Sequence, residues 1–210
     1  MATELPVATD KRPHMTTLQQ ALLSFFWLAT NVQWAVILVI TMPSQIKAAV
    51  GDANKGVALG VALGIGAFIS MLAAPAFGAL SDRIKLPGGR RKPWVIIGTV
   101  GNVIGLFGLA FLLKPDDPNS LVWWIVAFGF VELFNNIATA PYAALIPDLV
   151  PVDQRGSASG WMGMMTVLGT FIGGVIGFLP LGGIVNDYFM VMAVMLIGML
   201  VTIFYVKEPE

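Results

Sequence analysis

Charge is absent from long stretches of this chain. No Asp, Glu, Lys or Arg falls in 13–46, 56–81, 93–113 or 156–186; 188–206 is a further uncharged run, and 118–147 is interrupted only by Glu132. Each run contains a stretch near the roughly 20 apolar residues that a helix needs to cross a bilayer about 30 Å thick. Lipid offers no water to an unpaired amide, so spans this apolar are predicted to be helices. Barrel strands would instead be about 10 residues long with alternating polarity. The predicted fold class is an all-α membrane protein with six transmembrane helices, at about 18–42, 56–80, 93–113, 121–146, 157–179 and 187–206. Residues 1–17 read as a cytoplasmic N-terminal tail, 18–206 as the six-helix bundle and 207–210 as the start of a cytoplasmic linker. The first run is too long for the apolar region of a secretory signal, so it is expected to stay in the mature protein.

Composition excludes the soluble alternatives. Apolar residues make up 57% of the 210 and charged residues 11%, whereas a water-exposed surface calls for about a quarter charged. Twelve basic and twelve acidic residues cancel, which leaves no basic field for a nucleic-acid backbone and predicts no nucleic-acid partner. With no cysteine and a single histidine, His14, no disulfide, thiolate site or histidine cluster can form, and neither a metal nor a cofactor is expected. No nucleophile–base pairing is visible, so no catalysis is expected. Lys11, Arg12, Arg83, Lys85, Arg90, Arg91, Lys92, Arg155 and Lys207 fall on one side of the predicted spans, and Lys47, Lys55 and Lys114 on the other. That nine-to-three bias puts both termini in the cytoplasm, and the expected location is the cell (inner) membrane.

The two halves look related. Span 1 ends at Met42-Pro43 and span 2 opens at Lys55-Gly56, while span 4 ends at Ile146-Pro147 and span 5 opens at Arg155-Gly156. Inverted three-plus-three repeats of this kind are nested within six-helix halves of some transporters. Gly56, Gly60 and Gly64 recur every four residues in span 2, as do Gly169, Gly173 and Gly177 in span 5. Each set lines one helix face, where small residues permit close packing or sliding.

The loop 78–93, GALSDRIKLPGGRRKP, carries the most specific pattern. Topology alone accounts for its basic residues but not for Asp82 beside Arg83, where a carboxylate can latch basic side chains at the end of span 2. The string resembles the cytoplasmic signature of the major facilitator superfamily, G-x-L-S-D-R followed by G-R-R-K. Gly78, Leu80, Ser81, Asp82, Arg83, Gly89, Arg90, Arg91 and Lys92 match it, and Ile84 to Gly88 lengthen the spacer. A longer spacer is similar to the branch holding sucrose–proton symporters and glycoside/pentoside/hexuronide cation symporters. The resemblance implies a cytoplasmic gating motif of Gly78, Asp82, Arg83, Gly89, Arg90 and Arg91, with Asp148 and Arg155 of the second cytoplasmic loop pairing with it.

Glu132, Asn135, Asn136 and Thr139 fall within an arc of about 100° at 100° per residue, one polar stripe on the otherwise apolar span 4. That stripe cannot face lipid. An ionised carboxylate at membrane depth is costly, so Glu132 is a candidate to bind and release a proton, against the plainer reading of a hydrogen-bonded acid that joins helices. The stretch VELFNNIATAPYAALIPDLVP is similar to helix 4 of the sucrose symporters. That resemblance sets Glu132 in the place of the proton-carrying acid and Asn135 and Asn136 in the place of the paired asparagines. Ala143 stands where that branch has a substrate-binding arginine. In span 1, Asn31, Gln33 and Trp34 can offer amides and an indole face to a hydroxyl-rich solute, or equally serve as packing glue and interfacial anchors. The cavity candidates are therefore Asn31, Gln33, Trp34, Asn135, Asn136 and Thr139.

Family members carry two six-helix halves, so the resemblance implies that this chain supplies an N-terminal half. Its expected partners are the lipid bilayer, a small-molecule solute, a proton or sodium ion, and a second six-helix half, either a C-terminal half or a second copy. The expected function is proton- or cation-coupled symport of a small polar solute such as a sugar or glycoside. The alternatives are export of an apolar compound and a non-transporting assembly or regulatory subunit.

Overall fold

The computed structural model describes residues 12–114, 117, 119–179, 182–206 and 208. Lys11 and Lys207, two of the charges behind the expected orientation, lie outside the described residues, as does most of the expected tail and linker. The described secondary structure is helical but for a lone bridge between Leu86 and Gly89. Helix α1 (Thr17–Leu23) opens on a capping box in which Gln19 N–H donates to Thr16 Oγ1 and Thr16 N–H to Gln19 Oε1. Helix α2 (Phe25–Val36) follows, then one π-helical turn (Ile37–Thr41), then α3 (Met42–Arg83). The remaining elements are α4 (Lys92–Phe111), α5 (Ser120–Ala143), α6 (Leu145–Leu149), a 3₁₀ turn (Val152–Gln154), α7 (Arg155–Phe178) and α8 (Ile184–Tyr205).

Among the described residues five stretches are long and apolar enough to cross a membrane, and the first of them, Thr17–Arg83, is 67 residues long. The predicted loop between spans 1 and 2 is thus helical. Pro43 directly follows the π-helical turn, and Thr41 and Met42 before it keep helical backbone angles, so the proline does not end the helix. The helical course is interrupted instead at Gly51, whose φ of 74° and ψ of 172° suit a residue without Cβ. An unbroken helix of that length would extend about 100 Å, three times the hydrocarbon thickness. Both its ends nevertheless lie at one face of the bundle. Met15 N–H donates to Gln154 Oε1 (2.8 Å) and Ser157 Oγ to Gln20 Oε1 (2.7 Å), while Asp82, at the other end, shares Arg91 with Asp148. At the opposite face, Tyr188 accepts from Thr41 and donates to Gln45 Oε1, and Gln45 Nε2 and Trp124 Nε1 both donate to the Leu109 carbonyl. That network joins the π-helical turn and the start of α3 to α8, α4 and α5.

Helix α5 packs against α3 and α4, α2 packs against α7 and α8, and α4 meets α8. Glycine sets the closest approaches. A Cβ on Gly98 would overlap the Ala138 backbone, one on Gly101 the Phe134 ring, and one on Gly173 Ala35 and the Val32 carbonyl. The two predicted glycine stripes therefore differ. Gly169, Gly173 and Gly177 bury against α2 and the π-helical turn, whereas nothing lies within 4 Å of a Cβ built on Gly56, Gly60 or Gly64. On α7 only Ala158, Met165, Gly169, Gly173 and Ile176 are buried, and α3 likewise leaves most of its surface uncovered.

Candidate functional site

Glu132 lies on α5 and is half-buried against α3. Gly66 makes room for it: a Cβ there would sit 2.7 Å from a Phe128 ring carbon and 3.2 Å from Glu132 Oε1. One turn further along α3, Ser70 Oγ donates to Glu132 Oε2 (2.7 Å) and accepts from Asn136 Nδ2 (2.9 Å). Asn136 Nδ2 also reaches the Glu132 carbonyl (2.8 Å). The hydroxyl thus joins the acid and the amide across two helices. Among the described residues the ion pairs lie elsewhere, and the Glu132 carboxylate is met by one neutral donor, the Ser70 hydroxyl. A carboxyl bound this way tolerates either protonation state, because Ser70 can accept as well as donate.

The other stripe residues divide. Asn135 is 7% exposed and its Oδ1 has no partner among the described residues. It lies seven residues from both Phe128 and Tyr142, so all three share the α5 face turned to α2. Trp34 meets Phe128 nearly edge-on at 6.4 Å, and Trp27 stacks on Tyr142 at 6.3 Å. The Tyr142 hydroxyl donates to the Leu23 carbonyl. Aromatic side chains thus span the gap between α2 and α5 on either side of Asn135. Asn31 Nδ2 donates to the Trp27 carbonyl and Thr139 Oγ1 to the Asn135 carbonyl, each within its own helix. Gln33 does not join this group. At 100° per residue it points about 160° away from Asn31, and it is 0% exposed.

At the face that holds Met15 and Gln154, Arg91 is 3% exposed and binds three groups. Its guanidinium meets Asp82 Oδ1 (2.7 Å), Asp148 Oδ2 (2.9 Å) and Ser81 Oγ (2.6 Å), and Arg90 adds a second bond to Asp82 (2.9 Å). Asp148 therefore pairs with the α3–α4 cluster, whereas Arg155 donates to the Pro147 carbonyl and Arg83 is exposed. Nothing lies within 4 Å of a Cβ built on Gly78, while one on Gly89 would meet the Glu208 carboxylate. Reading the sequence missed Glu208: its carboxylate accepts the backbone N–H groups of Arg90, Arg91 and Lys92 at 2.6 to 3.1 Å. Three amides at the start of α4 are thus satisfied by an anion following α8. Ser70 was missed as well, although Ser70 and Ser81 are the only hydroxyl residues in the uncharged run 56–81.

A second feature borders the acid. An apolar groove of about 670 Å³ between α3 and α5 is lined by residues including Ile65, Phe68, Ile69, Leu72, Gly129 and Leu133.

The Major Facilitator Superfamily pattern matches residues 20–210. The multi-drug resistance efflux pump PmrA of Streptococcus pneumoniae is 31% identical over 166 residues, 76% of this chain and 37% of the pump. The general alpha-glucoside permease of Schizosaccharomyces pombe is 27% identical over 128 residues, 55% of this chain and 23% of the permease. The sucrose transport protein SUC4 of Arabidopsis thaliana is 27% identical over 120 residues, 51% of this chain and 24% of that protein. The chain therefore spans well under half the length of these relatives.

Proposed function

The chain belongs to the Major Facilitator Superfamily, and from that premise we propose that it forms the N-terminal six-helix half of a secondary transporter in which protonation of Glu132 is the coupling event. The family is one of transporters, so the chain is not an enzyme. The observation that carries the coupling reading is the cross-helix bridge from Glu132 through Ser70 to Asn136, an acid at membrane depth whose carboxylate is met, among the described residues, by the neutral Ser70 hydroxyl. The solute in this reading is small and polar, a sugar or glycoside, with Asn31, Trp34, Asn135, Asn136 and Thr139 facing it. In this reading Asn135 Oδ1, buried and without a partner among the described residues in this conformation, accepts from a solute hydroxyl when the halves part.

The inverted-repeat arrangement has support in the packing. Exchanging the first three spans with the last three turns the α2 contacts with α7 and α8 into the α5 contacts with α3 and α4, and leaves the α4–α8 contact in place. Six crossings follow if the chain crosses and returns between Thr17 and Arg83, as its two ends at one face require. The face that carries Asp82, Arg91 and Asp148 is the cytoplasmic one in this reading, and both termini lie there, in the inner membrane of a cell. A second six-helix half would cover the open surfaces of α3 and α7, including Gly56, Gly60 and Gly64. The Arg91 cluster and Glu208 would then latch the cytoplasmic face and separate as the halves rock.

The apolar groove between α3 and α5 favours a second reading, export of an apolar compound, in keeping with the resemblance to an efflux pump. Proteoliposomes containing the native protein separate the two. The symport reading expects glycoside uptake driven by an imposed pH gradient and lost in Glu132→Gln. Uptake indifferent to both gradient and substitution would overturn the coupling role, and extrusion of an apolar dye with no glycoside uptake would establish the export reading.

A further inference from the structure

Gln33 and Asn102 are the two amide side chains that the bundle encloses completely, each 0% exposed, and none of their four amide atoms has a hydrogen-bond partner among the described residues. Thr99 Oγ1, 0% exposed as a residue, is in the same condition. Gln33 shares the inward face of α2 with Phe26, Ala29 and Val36, and Asn102 shares that of α4 with Val95 and Leu106, all of them 0% exposed.

Register puts the two amides at one depth. Lys92 Nζ binds the Ile203 carbonyl, and Phe107 packs against Phe189, so 15 residues of α4 run beside 14 of α8. Asn102, ten residues beyond Lys92, is therefore level with about residue 193 of α8. Gly198 of α8 packs on Ala29 of α2, and five residues back along α8 corresponds to Gln33–Trp34 on α2. Met195, 0% exposed, lies on the same stretch of α8.

We propose that Gln33 and Asn102, with Thr99 half a bilayer leaflet or less away, form a buried hydration site inside the bundle, separate from the Glu132 cleft. The chemistry of the donors selects the ligand. Each amide presents two N–H donors and one carbonyl acceptor. A cation would satisfy the carbonyls and leave the N–H groups bare, and an anion the reverse. Water donates and accepts, so it satisfies both, and buried polar groups left without protein partners are the ones ordered water serves. The site holds α2, α4 and α8 together at mid-membrane without a direct side-chain bond.

Radiolytic hydroxyl labelling in ¹⁸O-water, on the native protein in lipid nanodiscs, tests this. Bound water yields label on the nearest oxidisable side chain, so ¹⁸O is expected on Met195, 0% exposed, and not on Met42, which is 1% exposed at the start of α3. In the double variant Gln33→Met with Asn102→Leu, labelling of Met195 is expected to fall at least about fivefold as the amides that hold water are removed. The single variants give the same readout if the double one does not insert. An unlabelled Met195 in the native protein, equal labelling of Met42, or labelling that persists in the variants would each overturn the proposal.

Discussion

Glu132, half-buried between α5 and α3, and Arg91, buried at the start of α4, are held in opposite ways. Glu132 is met by the neutral Ser70 hydroxyl, so its charge can change without stranding a charged partner, and Glu132→Gln is expected to preserve folding while removing the response to a pH gradient. Transport in proteoliposomes and thermal unfolding of the same preparation check the two halves of that expectation. Arg91 is clamped by two carboxylates and a serine, and its planar fork is what reaches all three. Arg91→Lys keeps the charge and loses the fork; a loss of about 2 kcal/mol is expected, read as lowered thermal stability. Asp148 was placed near this cluster by resemblance alone, whereas Glu208 was invisible because a carboxylate in a polar tail carries no pattern that names its partner.

At the scale of elements, the glycine stripes give the sharpest contrast. Gly173→Ala drives a methyl into Ala35 and the Val32 carbonyl and is expected to cost about 1–3 kcal/mol, because neither backbone can withdraw from a packed pair of helices. Gly60→Ala meets nothing within 4 Å and is expected to be neutral or stabilising by up to about 1 kcal/mol in this chain through helix propensity. If a second half covers α3, Gly60→Leu should leave the bundle folded yet reduce transport. Unfolding temperatures and uptake rates, measured on the same variants, distinguish these outcomes. Spacing made the two stripes look equivalent. Period four places glycines on one face but says nothing about which neighbour that face meets. The same limitation produced the predicted loop at 43–55: charged residues there signalled water, and α3 satisfies that signal as a helix projecting beyond the apolar core with its break at Gly51.

At the scale of the whole molecule, sidedness is the property to test, and the absence of cysteine makes the chain its own blank. Single cysteines at Lys85 and Asp153 are expected to react with a membrane-impermeant thiol reagent only from the cytoplasmic side, and cysteines at Lys47 and Asp117 only from the other. Labelling of Lys47→Cys and Lys85→Cys from the same side would refute a crossing and return within Thr17–Arg83. The all-α membrane class and the positions of the apolar runs were legible in the amino-acid order, because partition between lipid and water is summed locally over each run of about 20 residues. Tertiary structure alone decided that Ser70 bridges Glu132 to Asn136, that Gln33 is enclosed in the bundle rather than joined to Asn31, and that Glu208 closes on the start of α4. Those outcomes depend on the register and rotation of helices distant in sequence, which no local pattern specifies.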